Sequence, residues 1–500
     1  MQSKLLMLLP PLALVSCGGG AEKGQAQRPN ILLIVADDLG IGDIGAYNPT
    51  VRFTPNIDSL AGAGVRFTNA YATSATSTPS RYGMLTGMYP WKNPDARILD
   101  GDAPLLVPTD IPTLPKMMQG AGYHTAAIGK WHLGMGDGKV DWNRQITPSG
   151  NAVGFDYTCL IAATNDRVPT VYVENGLVEG LDPGDPIYVD YVNNFDGEPT
   201  ALTNPEMLRM TWHHGHNNSI INGIPRIGFM KGGTKARWVD EEMADYFVDK
   251  VKKYVDSCGD EPFFLYYGLH EPHVPRAPHQ RFAGVTGLGP RGDVIAEADW
   301  CVGEILSYLR HKGLLENTLV IFTSDNGPVL NDGYNDGARE MLGEHDPMNG
   351  LRGGKYSLFD AGTHIPLIMA WDGNVRTGTS SAFVSQLDFF ASFGSLIGAE
   401  VPEGLDSQPM LDEFLGGKGA GRESMVLEAQ QRLAYKKGEY VLIPPYKGPE
   451  RNAAGSELGN MPEWALFDLS SDRGQRHNLA EELPELLEQM KTEFAQYTTR

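Results

Sequence analysis

The feature that most limits the fold of this chain is a series of short, fully apolar runs that alternate with amphipathic helical patterns. Residues 31–35 form such a run, and residues 263–267 and 319–323 form two more. An apolar run of this length, bounded by turn residues, is typical of a strand that is buried on both faces. Alternation of such strands with helices predicts an α/β architecture with a largely buried sheet.

Capping residues and periodicity predict the helices between these strands. Thr54 and Pro55 mark a helix start and Gly64 its end, since threonine caps a first turn and proline fits into it. Helical periodicity predicts a further helix over residues 297–312. Residues 156–233 are irregular and rich in Asn, Gly and Pro, which indicates long surface insertions. A hairpin pattern followed by a helical one near the C-terminus indicates a smaller α+β unit.

The beginning of the chain has the pattern of an export signal. Residues 1–16 carry Lys4 and an apolar stretch too short to span a bilayer, which is typical of a secretory signal peptide. The stretch ends in Leu-Val-Ser-Cys-Gly, which resembles the bacterial lipoprotein box. We therefore expect lipidation of Cys17 and a tether over residues 17–27. The expected location is that of an exported lipoprotein facing the periplasm or the cell surface.

The charge of the chain restricts what it can bind. Lysine and arginine number 41 and aspartate and glutamate 62, which gives a formal net charge of −21. Such a chain is a poor candidate for nucleic-acid binding, and an anionic substrate would require locally concentrated positive charge. No apolar run after the signal region approaches the roughly 20 residues of a membrane-spanning helix, so only the lipid anchor is expected at the membrane. Cys159, Cys258 and Cys301 show no metal-ligand spacing, and we expect buried thiols with one bridge left open.

Polar side chains follow four of the predicted strands. In open α/β sheets ligands bind beyond the carboxyl ends of the strands. Each of these segments alone also has a structural explanation as a turn or a cap. Their joint position at one edge instead predicts a functional site, and the segments are Asp37-Asp38, Gly129-Lys130-Trp131-His132, His270-Glu271-Pro272-His273 and Ser324-Asp325-Asn326-Gly327.

The oxygen atoms at this edge indicate a hard divalent cation. Asp37, Asp38, Asp325 and Asn326 supply carboxylate and amide oxygens without a thiolate. Such a set suits calcium or magnesium better than zinc.

A further segment runs Ser77-Thr78-Pro79-Ser80-Arg81 and is followed by Leu-Thr-Gly. It has the pattern of a polar loop that enters a helix, where backbone amides and an arginine favour an anion. The segment is similar to the sulfatase signature. In that family the first residue of the signature is oxidised to formylglycine, whose hydrate is the nucleophile.

Other segments extend the resemblance over about residues 28–480. They are Arg28-Pro29-Asn30-Ile31 to Asp38, Gly129-Lys130-Trp131-His132-Leu133-Gly134, Ser324 to Gly327, Leu351-Arg352-Gly353-Gly354-Lys355, Leu466-Phe467-Asp468-Leu469 and Asn478-Leu479-Ala480. The resemblance implies an alkaline-phosphatase-like α/β sandwich, with a mostly parallel central sheet flanked by helices. It also implies a catalytic domain over residues 28–405 and a C-terminal antiparallel-sheet-plus-helix subdomain over residues 406–500.

The resemblance implies a role for each matching residue. Asp37, Asp38, Asp325 and Asn326 would bind one calcium ion, with magnesium less suited, and the modified Ser77 would also contact it. Arg81 and Lys130 would hold the hydrate and the sulfate. His132 would contact the hydrate and then help to collapse the sulfated intermediate by removing a proton. His273 and Lys355 would face the leaving oxygen, with His273 as general acid.

Two positions depart from the family pattern. Serine rather than cysteine at position 77 requires a maturation enzyme that oxidises serine, which the resemblance associates with an oxygen-independent radical enzyme. His364 stands where relatives often carry arginine, and we assign it a structural role.

The expected substrate is a sulfated glycan, attacked from its end at galactose- or N-acetylgalactosamine-type sugars. This expectation comes from the family analogy and from the exported, insertion-rich chain. Thr164 loosely matches a sulfate-contacting serine of relatives. The other candidates for a sugar site, which could equally order long loops, are Asn165, Arg167, His213, His214, His216, Glu344, His345 and Arg352.

Two other functions stay open from the sequence. One is a phosphatase or phosphodiesterase of the same fold, although such enzymes usually bind two zinc-like ions through additional histidines. The other is a glycan-binding lipoprotein without catalytic activity. The protein would act in this way if Ser77 stayed unmodified.

Overall fold

The computed structural model describes residues 28–498. The predicted signal peptide, Cys17 and the tether lie outside these residues. The described chain contains strands of two to seven residues, which are β1 (Asn30–Ala36), β2 (Val65–Phe67), β3 (Ala70–Tyr71), β4 (His124–Lys130), β5 (Tyr157–Ile161), β6 (Val173–Glu174), β7 (Leu177–Val178), β8 (Tyr188–Asp190), β9 (Ile220–Ile221), β10 (Ile224–Pro225), β11 (Phe229–Lys231), β12 (Phe263–Gly268), β13 (Thr318–Ser324), β14 (Leu367–Ala370), β15 (Gly378–Ser380), β16 (Val384–Ser385), β17 (Ser424–Ala429), β18 (Arg432–Lys437), β19 (Tyr440–Ile443) and β20 (Ala465–Asp468).

The α-helices differ widely in length. They are α1 (Pro55–Ala63), α2 (Ser77–Thr86), α3 (Leu114–Gly120), α4 (Met243–Cys258), α5 (Gly289–His311), α6 (Phe389–Ile397), α7 (Leu411–Phe414) and α8 (Pro484–Thr498). Helix α1 begins and ends where its capping residues predict. Helix α5 begins eight residues before the predicted position, because its first two turns are rich in glycine and lack a clear apolar period.

A ten-stranded sheet forms the centre of the fold, in the order β15-β2-β14-β13-β1-β12-β4-β5-β6-β7. Its five middle strands, β13 to β5, run parallel to their neighbours, and antiparallel strands flank them on both sides. Parallel strands bring their carboxyl ends to one edge, so the residues that follow β1, β4, β12 and β13 converge there.

Two hydrophobic cores cover the two faces of this sheet. Alternate residues of β1 belong to different cores, with Leu33 in one and Ile34 in the other. One core includes residues of α2, α3 and α6, and the other those of α1, α4 and α5. The sheet is therefore buried on both sides, as its continuous apolar runs predict.

The C-terminal part forms a separate antiparallel sheet, in the order β17-β18-β19-β20, against which α8 packs. The α/β class and the smaller C-terminal subdomain are thus confirmed. Among residues 28–498 no helix is both long and apolar enough to cross a membrane. Cys159, Cys258 and Cys301 are buried free thiols, so the bridge that the sequence left open does not form among the described residues.

Candidate active site

The strand-end residues lie together because neighbouring strands are in register. Ala36 at the end of β1 pairs with Ser324 at the end of β13, so Asp37 and Asp325 follow at the same level of the sheet. The backbone N–H of Asp38 donates to Asp325 Oδ1 over 3.3 Å. All these carboxylates are at most 1% exposed.

Ser77 is the first residue of α2, and its hydroxyl lies among charged groups of the sheet edge. Lys130 Nζ donates to Ser77 Oγ over 2.9 Å. Ser77 Oγ lies 3.3 Å from Asn326 Oδ1 and 3.5 Å from Asp37 Oδ1. The free N–H groups and the dipole at the start of a helix attract negative charge, so this position favours an anionic substrate.

Arg81, one turn further along α2, is fully buried and fixes Asp325. Its Nε and Nη2 lie 3.0 and 2.8 Å from Asp325 Oδ2, and Nη1 donates to the hydroxyl of Tyr266 over 2.5 Å. Arg81 and Lys130 outweigh the effect of burial on Asp325 and hold the pKa of its carboxyl well below the ordinary value. Arg81 therefore ties helix α2 to the residue that follows β13.

Lys130 reaches the site because the backbone turns sharply at the end of β4. Gly129 has a φ of +97°, and a Cβ there would lie 2.0 Å from the carbonyl oxygen of Gly268 on β12. Only glycine fits such a close approach. Lys130 Nζ then lies 2.6 Å from Asp37 Oδ2, so it joins this carboxylate to Ser77.

The donor set at the centre of the site fits a divalent cation. One ligand atom each from Asp37, Asp38 and His273 lie within 4.8 Å of one another. Burial, together with the neighbouring carboxylates, raises the pKa of Asp37 and of Asp38. This crowding of buried acids is what a bound cation would relieve.

The other two predicted ligands, Asp325 and Asn326, lie at the same place and, like Asp37 and Asp38, have hydrogen-bonding or charged partners. Asp325 accepts from Arg81 and from the backbone of Asp38. Asn326 Nδ2 donates to Asp38 Oδ1 over 2.8 Å, and its Oδ1 faces Ser77. Their oxygen atoms therefore border the acidic cluster.

His132 presents a free ring nitrogen to the site. Its Nε2 lies 3.0 Å from the carbonyl oxygen of Leu99, which places the proton on Nε2. Nδ1 has no hydrogen-bond partner within residues 28–498. Burial and the nearby Lys130 lower the pKa of His132 well below the ordinary value, so the ring is neutral and Nδ1 can accept a proton.

His273 and Lys355 lie on the opposite side of the acidic cluster. His273 Nδ1 donates to the carbonyl oxygen of Val274 over 2.6 Å, and its Nε2 lies 3.8 Å from Asp38 Oδ2. Lys355 Nζ lies 2.8 Å from Asp38 Oδ2 and 2.9 Å from Asp332 Oδ2. Burial and Lys355 lower the pKa of His273, so its Nε2 carries a lone pair in the substrate-free protein.

A cavity of about 220 Å³ opens above Ser77. Ten of its thirteen lining residues are polar or charged, and the lining residues are Ser77, Ile98, His132, Asp166, Arg167, His214, Gly215, His216, Ile227, His273, Asp332, Lys355 and Tyr356. Three of the proposed sugar-binding residues, Arg167, His214 and His216, belong to this lining.

Other proposed sugar-binding residues support the lining from behind. The hydroxyl of Thr164 donates a hydrogen bond to Asp166 and accepts one from Arg167 Nη1 over 2.8 Å. Asn165 Nδ2 donates to the carbonyl oxygens of His273 and Pro275. His213 contacts His214, with 2.7 Å between their Nδ1 atoms, and does not line the cavity.

Three of the remaining candidates do not line this cavity. Glu344 is exposed and outside the lining. His345 is 2.8 Å from the buried Asp43, which holds it away from the cavity. Arg352 forms an ion pair with Glu457 of the C-terminal subdomain. His364 lies between Asp360 and the backbone of Thr68, a structural position.

Asp332 and Tyr356 also line the cavity, although the sequence did not single them out. The hydroxyl of Tyr356 donates to Asp332 over 3.1 Å, and Asp332 in turn holds Lys355. Tyr356 follows the lysine motif directly, which was an available signal. Asp332 lies in an irregular loop after the Asp325 motif and carries no pattern of its own.

The carboxyl-edge site on this sheet defines a class of protein, a hydrolase of anionic esters with an alkaline-phosphatase-like fold. A family model described as Sulfatase matches residues 29–399, and the chain belongs to the sulfatase family. It is 49% identical over 506 residues to an N-acetylgalactosamine-6-O-sulfatase of Bacteroides thetaiotaomicron, with 98% of this chain and 99% of that protein covered. Human arylsulfatase A is 30% identical, with 93% and 87% covered.

Solved structures support the same family assignment. A structure from work on glycosaminoglycan metabolism by Bacteroides thetaiotaomicron has a TM-score of 0.93 and 49% identity, and covers 95% of this chain and 100% of that chain. A phosphonate monoester hydrolase of Agrobacterium radiobacter, 18% identical with a TM-score of 0.58, shares only the fold. The resemblance stated from the motifs is confirmed, and the protein is a sulfatase that hydrolyses sulfate esters.

Proposed function

We propose that this sulfatase removes 6-O-sulfate from N-acetylgalactosamine-type sugars at the ends of glycan chains. The observation that carries the proposal is the 49% identity, over nearly the whole of both chains, to the Bacteroides thetaiotaomicron N-acetylgalactosamine-6-O-sulfatase. The cavity of about 220 Å³ supports action at a chain end, because it is small for a ligand site and suits a single sugar.

The lining of the cavity supports recognition of sugar hydroxyls. Asp166 is buried, and Arg167 and His216 hold it at 3.0 and 2.8 Å. A carboxylate fixed in this way accepts hydrogen bonds from hydroxyl groups, and Arg167 can donate to them. His214 completes this side of the cavity.

Ser77 is the proposed site of formylglycine, formed by a maturation enzyme that oxidises serine. Once formed, this group supplies a hydrated aldehyde as nucleophile towards sulfur. Lys130 donates a hydrogen bond to the oxygen at this position, and the start of α2 offers N–H groups to a sulfate. Both interactions favour negative charge where the sulfate oxygens would lie.

Asp37, Asp38, Asp325 and Asn326 are the proposed holders of one calcium ion. The ion would polarise sulfate oxygens and offset their charge. His273 Nε2, 3.8 Å from Asp38 Oδ2, borders this set and stays available to carry a proton. Arg81 and Lys130 keep Asp325 ionised, so that the acidic cluster stays ready for a cation.

Two histidines are proposed to move protons on opposite sides of the sulfate. His132 Nδ1, which is free and neutral, accepts a proton beside Ser77. His273 Nε2 faces the leaving side with Lys355. An incoming sulfate adds negative charge and raises the proton affinity of His273, so that it can donate to the departing sugar oxygen.

The protein is further proposed to be an exported lipoprotein, anchored at Cys17, with domains over residues 28–405 and 406–500. Export would place it where sulfated glycans from outside the cell are met. These assignments rest on the N-terminal sequence pattern and on the family resemblance.

A panel of sugar sulfates tests the proposed function. Protein matured in its native organism is expected to hydrolyse N-acetylgalactosamine 6-sulfate and to leave the 4-sulfate and an aryl phosphate intact. Ser77→Ala should abolish turnover, whereas Ser59→Ala, at an exposed position of helix α1, should retain it. Preference for phosphate, with two bound zinc ions, would favour a phosphatase. Binding of the sugar without turnover by protein oxidised at Ser77 would favour a non-catalytic lectin.

A further inference from the structure

A second cavity, of about 340 Å³, lies between the catalytic domain and the C-terminal subdomain. Four arginines line it, Arg339 and Arg352 from the first and Arg451 and Arg476 from the second. We call it the arginine pocket. Its lining shares no residue with the cavity above Ser77.

The arginine pocket carries unbalanced positive charge. Its lining contains only two carboxylates, those of Asp346 and Glu457. Glu457 pairs with Arg352 and Arg451. The side chains of the other two arginines form no hydrogen bond or ion pair with any residue in the described part of the chain. In a protein with a net charge of −21, this local excess is the kind of site that a polyanion requires.

Asp346 forms no ion pair with either of the two unpaired arginines, and the four arginines still outnumber the two carboxylates. Its carboxylate accepts the backbone N–H groups of Met348 and Gly350, over 3.0 and 2.6 Å, and so closes its own loop. A glycine faces one of the unpaired groups, since a Cβ at Gly455 would lie 2.8 Å from Arg339 Nη2. The guanidinium therefore has room that a larger residue would occupy.

The arginine pocket lies next to the active site along two chain segments. Leu330 lines the pocket and Asp332 lines the active-site cavity. Likewise, Gly353 lines the arginine pocket and Lys355 lines the active-site cavity. Two residues of extended chain span at most about 7 Å, so the two cavities are neighbours.

We propose that the arginine pocket binds a second anionic group, a sulfate ester or a carboxylate, of the glycan whose sulfate is removed at Ser77. Planar guanidinium groups match the paired oxygens of both anions. The proposal rests on the proposed function for the substrate class. It makes the enzyme prefer chain ends that carry a further charge on the next sugar over the isolated monosaccharide.

Binding to the full chain carrying Ser77→Ala, which cannot turn over, tests this proposal. Titration calorimetry would compare a 6-sulfated galactosaminoglycan tetrasaccharide, N-acetylgalactosamine 6-sulfate and inorganic sulfate. The test variant adds Arg339→Gln and Arg476→Gln. The control adds Arg144→Gln and Lys418→Gln, which remove two exposed charges elsewhere.

We expect the test variant to bind the tetrasaccharide roughly five- to thirty-fold more weakly than the control, because two charge-assisted contacts are lost. Its affinity for the monosaccharide should match that of the control. Equal tetrasaccharide affinity, or an equal loss for the monosaccharide, would overturn the proposal. So would a loss confined to inorganic sulfate, which would indicate a free-anion site. Failure of the monosaccharide to bind any of the proteins would instead contradict the proposed function.

Discussion

Arg276 connects two segments of the active site through one buried guanidinium, and its replacement should disturb both. The side chain is 1% exposed. Nε donates to the carbonyl oxygen of Pro272 over 3.0 Å, Nη1 to that of Leu330 over 2.7 Å, and Nη2 to that of Val329 over 3.0 Å. Nη1 also lies 2.8 Å from Asp336 Oδ2. Pro272 precedes His273, and the other three partners lie on either side of Asp332.

The cost of losing these contacts can be worked from their number and burial. Removing one partner of a buried ion pair costs about 3–5 kcal/mol, and each carbonyl that loses its donor adds about 1 kcal/mol. These losses come to about 6–8 kcal/mol. The apolar side chain of methionine regains about 2 kcal/mol by filling part of the space, so we expect Arg276→Met to lower the free energy of unfolding by about 4–6 kcal/mol. Lysine keeps the charge and one donor direction, so Arg276→Lys should cost about 2 kcal/mol.

Urea unfolding, combined with kcat and KM for an aryl sulfate, measures both effects. Under conditions where the variants are folded, kcat should fall at least about tenfold for Arg276→Met with little change in KM, because misplaced catalytic groups slow the chemical step. Arg144→Met, at an 84% exposed side chain, serves as control and should lose under about 0.5 kcal/mol. A stability loss below about 1 kcal/mol for Arg276→Met, or an unchanged kcat in the folded variant, would refute this reasoning.

Three further predictions concern protons, metal and pH. His273→Ala should slow alkyl sulfates more than activated aryl sulfates, since a poor leaving group needs the proton most; equal losses across leaving groups would argue against proton donation. Asp38→Asn should remove the rise in melting temperature that calcium gives the wild type, and a retained rise would exclude Asp38 as a ligand. Glu297→Gln should flatten the pH dependence of stability. Burial raises the pKa of Glu297 from 4.5 to about 8, so wild-type stability falls as pH rises between these values. Urea unfolding at about pH 5 and pH 8 measures this, and parallel profiles for the two proteins would contradict it.

The sequence was sufficient to predict four of the parallel strands at the centre of the sheet and the polar residues at their carboxyl ends. Buried parallel strands read as continuous apolar runs, and parallel geometry brings the residues after them to one side. Asp37, Lys130, His273 and Asp325 therefore follow from where the strands end. Ser77 is the first residue of α2, and its hydroxyl lies beside the residues at this edge of the sheet.

Side chains placed by long-range pairing could not be predicted. Arg352 stands beside the lysine motif in sequence, yet it pairs with Glu457, more than a hundred residues away. His345 is likewise held by Asp43, far from it in the chain. Such partners have no periodic signal, because loop conformation and not secondary structure brings them together. Asp332 was missed for the same reason.

We propose that the Ser77 hydroxyl, to which Lys130 donates a hydrogen bond, is converted into the reactive aldehyde of this sulfatase. Mass spectrometry of the peptide that contains Ser77, from active protein of the native organism, tests it most directly. We expect the loss of two hydrogen atoms at this residue, as in oxidation of an alcohol to an aldehyde. Unmodified serine in protein that hydrolyses sulfate esters would contradict it.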